Sequence, residues 1–330
     1  MVGMSLLDAP QRVIDEPGFI DGGDATLAAM WSLPQGTAAR TGVVLLSAGG
    51  HVVHSQTNRW GYRVARAIAS EGFPVLRFDY AGTGDSTGMA DTFALDDPNA
   101  ADTAAAVDAM AGLADRILMI GHCYGARSAF EVAADRDEVV GVYAIAPPVR
   151  DGARGEGTGS RLAYEASLAG YVGHAVKAFR PRELATREGR RRYIRLARTF
   201  VTARWRRVQR HLPRAYEDPT PWVSDRLIRQ LQALGRRRVP VLFSYGSADS
   251  DYADFTKARA GRLGALMTKG KMVEVSTREG EVHNMARVDL QSEMIDEMVR
   301  WVLAKAEGTG GQRNQDDGPA NGGPHGGESR

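Results

Sequence analysis

The 330-residue sequence has one cysteine, Cys123. That scarcity excludes an intramolecular disulfide and a multi-cysteine metal site. A lone thiol that must stay free fits a reducing compartment. Net charge is also scarce, at +2, so no bulk attraction to nucleic acid is expected. No apolar run has the length of a membrane helix. The N-terminal MVGMSLLDAPQRVIDEP lacks the basic start and long apolar stretch of a secretion signal. The expectation is a soluble, cytoplasmic protein with no membrane span. Residues 308–330, GTGGQRNQDDGPANGGPHGGESR, hold no large apolar residue and are expected to be a disordered tail. Hydrophobic residues make up 43% and charged residues 25%, enough apolar content for one large domain or two small ones.

Between residues 42 and 150 short apolar runs alternate with amphipathic stretches. GVVLLSAGG (42–50), PVLRFDYAGTG (74–84), RILMIG (116–121) and VVGVYAIAPPV (139–149) read as buried strands ending in glycine or proline. RWGYRVARAIASEG (59–72), AADTAAAVDAMAGLA (100–114) and CYGARSAFEVAA (123–134) read as helices. Short connections between alternating strands and helices imply a mainly parallel sheet with helices on both faces. RVIDEPGFI and LAAMWSLP are expected to pair antiparallel at one sheet edge. Residues 150–236 hold no convincing strand, and Ile194, Ala197, Val201, Trp205, Val208 and Leu212 share a helical face. Strands return at VPVLFSYGSAD (239–249) and KMVEVST (271–277), and LQSEMIDEMVRWVLAKA (290–306) closes the pattern as a helix. The expected domains are a core of residues 1–150 and 237–307, a helical cap over 151–236, and the tail.

Gly121-His122-Cys123-Tyr124-Gly125 places a nucleophile between two glycines where a buried strand turns into a helix. So sharp a turn needs small flanking residues and lifts the side chain above the sheet edge. The helix N-terminus favours a thiolate there. The N–H of the next residue, Tyr124, points at a reacting carbonyl. A nucleophile of this kind needs a base, and the base needs an orienting acid. Of seven histidines, only His283, in the polar loop before the last helix, has the chain position of such a base. His122 is expected to pack structurally into the sheet. For the acid, Asp249 ranks first, just past a strand end, then Asp251, then Asp151. The second oxyanion donor falls in SAGGHVVHS, where the Gly50 N–H is favoured, with Gly49 and His51 as neighbours. Asp79 and Asp85 in FDYAGTGDSTG are expected to shape a loop; no phosphate-loop lysine follows, so the glycines do not argue for a nucleotide.

SAGG after a strand, FDYAGTGDS, GHCYG, YGSAD and the late VHN together resemble the α/β-hydrolase superfamily, over residues 12–150 and 238–306. The stretch LLSAGGHVVHSQTNRW to FDYAGTGDS is similar to a bacterial subgroup of serine-aminopeptidase-like hydrolases. The resemblance implies an α/β-hydrolase fold with a lid where the cap stands, and a triad of Cys123, His283 and Asp249. The departure is cysteine for serine, which is shared with dienelactone hydrolases and some thioesterase-like acyltransferases. Thiolate attack gives a thioester, which reacts well with water, alcohols or amines. The expected activity is hydrolysis of an acyl ester or thioester, with an acyltransferase or cyclase as the alternative. An inactive binding module is a third reading, against which the full set of motifs argues. No metal or organic cofactor is implied.

Residues 177–214 hold one lysine and thirteen arginines against Glu183 and Glu188, a net of +12. A solvated helical face is the first reading of such a run. The second is attraction of an acyl group carried on coenzyme A or an acyl-carrier protein. Anionic lipid or nucleic acid ranks below both, because no aromatic interleaving accompanies the charge.

Overall fold

A computed structural model describes residues 12–36, 38–49, 52–88, 99–151, 218–270 and 273–307. The basic run 177–214 and the tail 308–330 lie outside them. The apolar runs become strands where expected. β1 (Val13–Asp21) and β2 (Thr26–Pro34) pair antiparallel at the sheet edge. Pro17 is tolerated in β1 because an edge strand has one unpaired side. β3 (Thr41–Leu46), α1 (Trp60–Ser70), β4 (Val75–Phe78), α2 (Ala100–Ala111), β5 (Arg116–His122), α3 (Tyr124–Ala133) and β6 (Val139–Ile145) then alternate. They are followed by α4 (Asp225–Arg236), β7 (Val241–Gly246), α5 (Ser250–Ala258), α6 (Arg262–Gly270), β8 (Val273–Arg278) and α7 (Val288–Glu307).

The eight strands form one sheet in the order β1-β2-β4-β3-β5-β6-β7-β8, parallel except for the pairings of β2. From β3 the chain moves to β4 on one side, and later to β5 on the other. Right-handed crossovers in opposite directions put their helices on opposite faces. Thus α1 packs with α7, while α2, α3 and α4 contact one another in turn. The strand order reverses between β3 and β5, the kind of switch point at whose carboxyl ends open α/β sheets bind ligands.

Every residue of β3, β4 and β7 is buried, as the apolar runs require of strands covered on both faces. In α1 the buried residues Trp60, Val64, Ala65, Ile68 and Ala69 form one stripe. Two helices, α5 and α6, were not expected from the sequence. They supply the crossover that a parallel β7–β8 pair needs.

α4 comes from the stretch expected as cap. Leu227, Ile228, Leu231 and Leu234 on it belong to the main core, and it packs on α3 and α6. This helix, placed in the cap by the expected boundary at residue 237, therefore covers the sheet with α3 and lies within the core. Ser224 caps it, its Oγ accepting from Leu227 N at 3.1 Å. The rest of the stretch, residues 152–217, lies outside the described residues. Among the described residues no helix is long and apolar enough to cross a membrane.

Arg127, fully buried on α3, fastens both ends of that stretch. Its Nη1 donates to the carbonyls of Pro148 and Arg150, each at 3.2 Å. Its Nη2 donates to Asp151 Oδ1 at 2.9 Å and to Ser224 Oγ at 3.0 Å. Arg150 and Val223 form an antiparallel bridge, and Ser224 N donates to Val149 O at 2.9 Å. Breaking a buried ion pair from one side leaves the partner charge without compensation. Arg127→Met is expected to lower stability by about 3–5 kcal/mol, and Ser224→Ala by about 1 kcal/mol, both read from urea unfolding. Equal small losses would show that Arg127 is not the fastening point.

Candidate active site

Cys123 joins β5 to α3 with φ 50° and ψ −106°, a backbone state that residues with a Cβ avoid. Its neighbours make the turn possible by lacking side chains. A Cβ on Gly121 would lie 2.5 Å from Gly125 O and 2.6 Å from Ala126 N. A Cβ on Gly125 would lie 2.6 Å from Leu46 O, at the end of β3. The glycine spacing in the sequence is thus a packing requirement. Cys123 N donates to Ile145 O at 2.8 Å, tying the turn to β6. The side chain is buried at the N-terminus of α3, where the helix dipole favours a negative sulfur.

His283, in the loop between β8 and α7, comes to Cys123 as expected. Its Nδ1 lies 2.7 Å from Asp251 Oδ2, and its ring also hydrogen-bonds the Cys123 side chain. Burial works against a charged imidazole. The negative charge of a Cys123 thiolate, with the hydrogen bonds to Asp251 and Cys123, overcomes it and His283 is pushed up to about 11. The site therefore favours a protonated His283 beside Cys123 and Asp251.

The orienting acid is a correction. Asp249, ranked first from the sequence, does not reach the ring. Its carboxylate accepts Gly246 N at 2.7 Å, and Val282 N and His283 N at 3.0 Å each. Asp249 is the N-cap of α5, and its side chain turns back to the end of β7. Asp251, in the first turn of α5, faces the histidine. Both carboxylates are 2% exposed, so each needs its partners. Asp249 binds the histidine loop to the β7 turn through backbone, and Asp251 binds the ring. Gly246 allows the close approach, since a Cβ there would lie 2.8 Å from Val282 N. Asp151, ranked third, is occupied with Arg127.

Tyr124 is the first residue of α3, directly after Cys123. Gly49 ends the described part of the loop after β3 with φ +76°, and its carbonyl accepts Val52 N at 3.2 Å. Gly50 and His51 lie outside the described residues. Asp79 shapes its loop as expected. It accepts His54 N at 2.6 Å and lies 3.0 Å from His54 Nδ1. Burial raises its pKa, but the His54 contacts prevail and hold it below the usual carboxylate range.

His122 departs from its expected sheet-packing role. Its ring meets that of His283 at 5.7 Å between centroids, edge to face, and tilts against Trp60 at 6.3 Å. Its Nδ1 lies 3.0 Å from Gln56 Oε1. Burial first, then the charge on His283, press its pKa down to about 3, so His122 is neutral. Neither Gln56 nor this use of His122 carries a signal in the sequence. Among the described residues no group of His, Cys, Asp and Glu is arranged to hold a metal ion.

The family model described as "Alpha/beta hydrolase family" matches residues 43–277. No curated protein sequence matches the chain. Among solved structures, the chain is similar to an esterase of Pyrococcus furiosus at 15% identity, over 91% of this chain and 99% of that one, with a TM-score of 0.51. It is also similar to Est1E from Butyrivibrio proteoclasticus, with ferulic acid bound, at 18% identity over 87% and 99%, TM-score 0.51. A monoacylglycerol lipase of Paleococcus ferrophilus aligns at 19% identity over 89% and 99%, TM-score 0.51. At these identities the likeness is one of fold.

The raised His283 has two negative partners, and each can be removed. In a proton NMR titration of the imidazole, His283 of the native protein is expected to hold its proton well above pH 7. Asp251→Asn and Cys123→Ala are each expected to move its titration downward, and Asp249→Ala much less. A native His283 that titrates at the ordinary value of about 6.5 would contradict the paired state.

Proposed function

The chain belongs to the α/β-hydrolase family, and from that premise we propose that it cleaves acyl esters or thioesters through a covalent Cys123 acyl-enzyme. The observation that carries this reading is the Cys123–His283–Asp251 arrangement at the switch point of the sheet. In the proposed cycle the Cys123 thiolate adds to the acyl carbonyl carbon, and the π electrons move to oxygen. The oxyanion is met by the Tyr124 N–H and by a donor from the loop after β3, where Gly50 is favoured and Gly49 is adjacent. Collapse expels the alkoxide or thiolate leaving group, which takes the His283 proton. Water then gives a proton to His283 and adds to the thioester, and Cys123 departs as thiolate with the acid released. Asp251 holds the imidazole in the orientation both transfers need. No metal or organic cofactor enters this chemistry.

The cysteine itself favours a second reading. A thioester intermediate is open to amines and alcohols as well as water, so an acyltransferase or cyclase uses the same residues with another acceptor. The acyl donor we propose is a small molecule, carried on coenzyme A or an acyl-carrier protein. The +12 of residues 177–214 supports that choice of anionic carrier. A cytoplasmic, reducing setting keeps Cys123 free for this role. A purely binding function is disfavoured, because a buried cysteine beside a histidine of raised pKa with its own acid serves no packing purpose.

Intact-mass measurement tests the covalent step. Brief exposure to a panel of acyl thioesters and activated esters is expected to add one acyl mass at Cys123. The adduct should turn over in the native protein and persist or fail to form in His283→Ala. No adduct from any donor, with iodoacetamide still alkylating Cys123, would overturn the covalent reading. For the carrier, KM towards an acyl-coenzyme A is expected to rise with salt. A salt-independent KM would remove the basic segment from substrate recognition.

A further inference from the structure

Two contacts fix the His283 ring at its nitrogens: Asp251 at Nδ1, and the Cys123 side chain. The His122 ring meets the His283 ring edge to face, 5.7 Å between centroids, and adds a packing contact that limits how far the His283 ring can turn about its Cβ–Cγ bond. His122 is itself tied down. In their 3.0 Å contact, Gln56 Oε1 accepts from His122 Nδ1 when that nitrogen carries the proton.

The backbone that presents Gln56 is unusual. Gln56 has φ 56° and ψ −176°, and Asn58 and Arg59 also lie at positive φ. Asparagine tolerates the left-handed region. Gln56 stands in a region that is nearly glycine's alone, a state kept only where the surroundings impose it. Those surroundings are visible. Asp79, buried and charged, grips His54 through both backbone N and Nδ1. Gln56 N donates to Val53 O at 2.9 Å, and Gly61 N to Ser55 O at 3.0 Å. Arg63 Nη1 donates to Gln291 Oε1 at 2.7 Å, and Gln291 Nε2 to Met285 O at 2.5 Å, two residues beyond His283. The segment thus spans from a buried carboxylate to the loop that carries the base.

We propose that Gln56 and His122 are positioning residues for His283, and that the strained backbone at Gln56 exists to pin the His122 ring against the base. This rests on the reading of Cys123 and His283 as the working pair. The charged and titratable groups facing the His283 ring are Cys123 from α3, Asp251 from α5 and His122 from β5. Gln56 contributes no charge, so its effect runs through geometry.

Cys123 is the only cysteine, so alkylation by iodoacetamide reports this site alone, and no substrate is needed. The quantity to measure is the ratio of alkylation rates at pH 6 and pH 9. An unpaired thiol gives a ratio below about 1%; the native protein is expected to exceed this severalfold or more. Gln56→Gly and His122→Phe are each expected to move the midpoint of the alkylation rate's pH profile up by about one unit and the ratio towards that of a free thiol. Gln56→Gly should do so with an unchanged or raised Tm, because glycine accepts the backbone state without strain. A native ratio no higher than that of a free thiol would overturn the Cys123–His283 pair itself. A raised native ratio that survives either substitution would overturn only the positioning role. A fall in the ratio that comes with a lowered Tm in Gln56→Gly would do the same, by marking that residue as a support of the fold.

Discussion

α3 begins in backbone-to-backbone contact with the end of β3. Gly125 stands so near Leu46 O that no side chain fits between them, and Gly121 is equally close to the first turn of α3. That contact brings α3 up under the sheet edge at the switch point and forces Cys123 into a positive φ. Once the turn is fixed, the direction of the sulfur is fixed, and so is the place of the Tyr124 N–H. The loop after β3 comes alongside because Gly125, in the first turn of α3, abuts the end of β3. The conformational cost at Cys123 is offset by the buried surroundings of β3, β5 and β6, none of which can shift without exposing apolar residues.

The second half of the site answers to a different force. It is assembled by two buried carboxylates two residues apart. Asp249 gathers three backbone N–H groups and thereby joins the end of β7 to the loop holding His283. Asp251 addresses the side chain. The division is one of direction: the Asp249 carboxylate is held by the N–H groups of Gly246, Val282 and His283, while Asp251 points at His283 Nδ1. The acid that builds the loop is therefore not the acid that orients the base.

Much of this was legible in the sequence. GVVLLS, VLRF, ILMIG and VVGVYAI could only be buried strands, and GHCYG could only be a tight strand-to-helix turn around Cys123, because steric demands leave their mark on residue type. The histidine followed from its place after the last strand. The acid was ambiguous because Asp249 and Asp251 occupy one turn and differ only in where their side chains point. That direction is set by contacts with residues 246 and 282–283, which sequence spacing does not encode. α5 and α6 escaped notice for a similar reason. Their buried positions are few, Asp251, Phe255 and Ala258 on α5 and Leu263 on α6, too sparse for a clear stripe. Gln56 was invisible, since a polar residue in a loop has no pattern to break.

The Arg127 fastening bears on how the protein can change over evolutionary time. Residues 148–151 and 223–224 are held together by the core itself, so the chain between them leaves and rejoins the core at fixed points. The entropy of joining two fixed points by a flexible chain depends on the logarithm of its length, so doubling that length costs only about 0.6 kcal/mol. The core thus imposes almost no length or composition on that stretch. A lineage can lengthen it, shorten it or recharge it while the sheet and the nucleophile turn stay as they are. A change of substrate there need not be matched by compensating changes in the core.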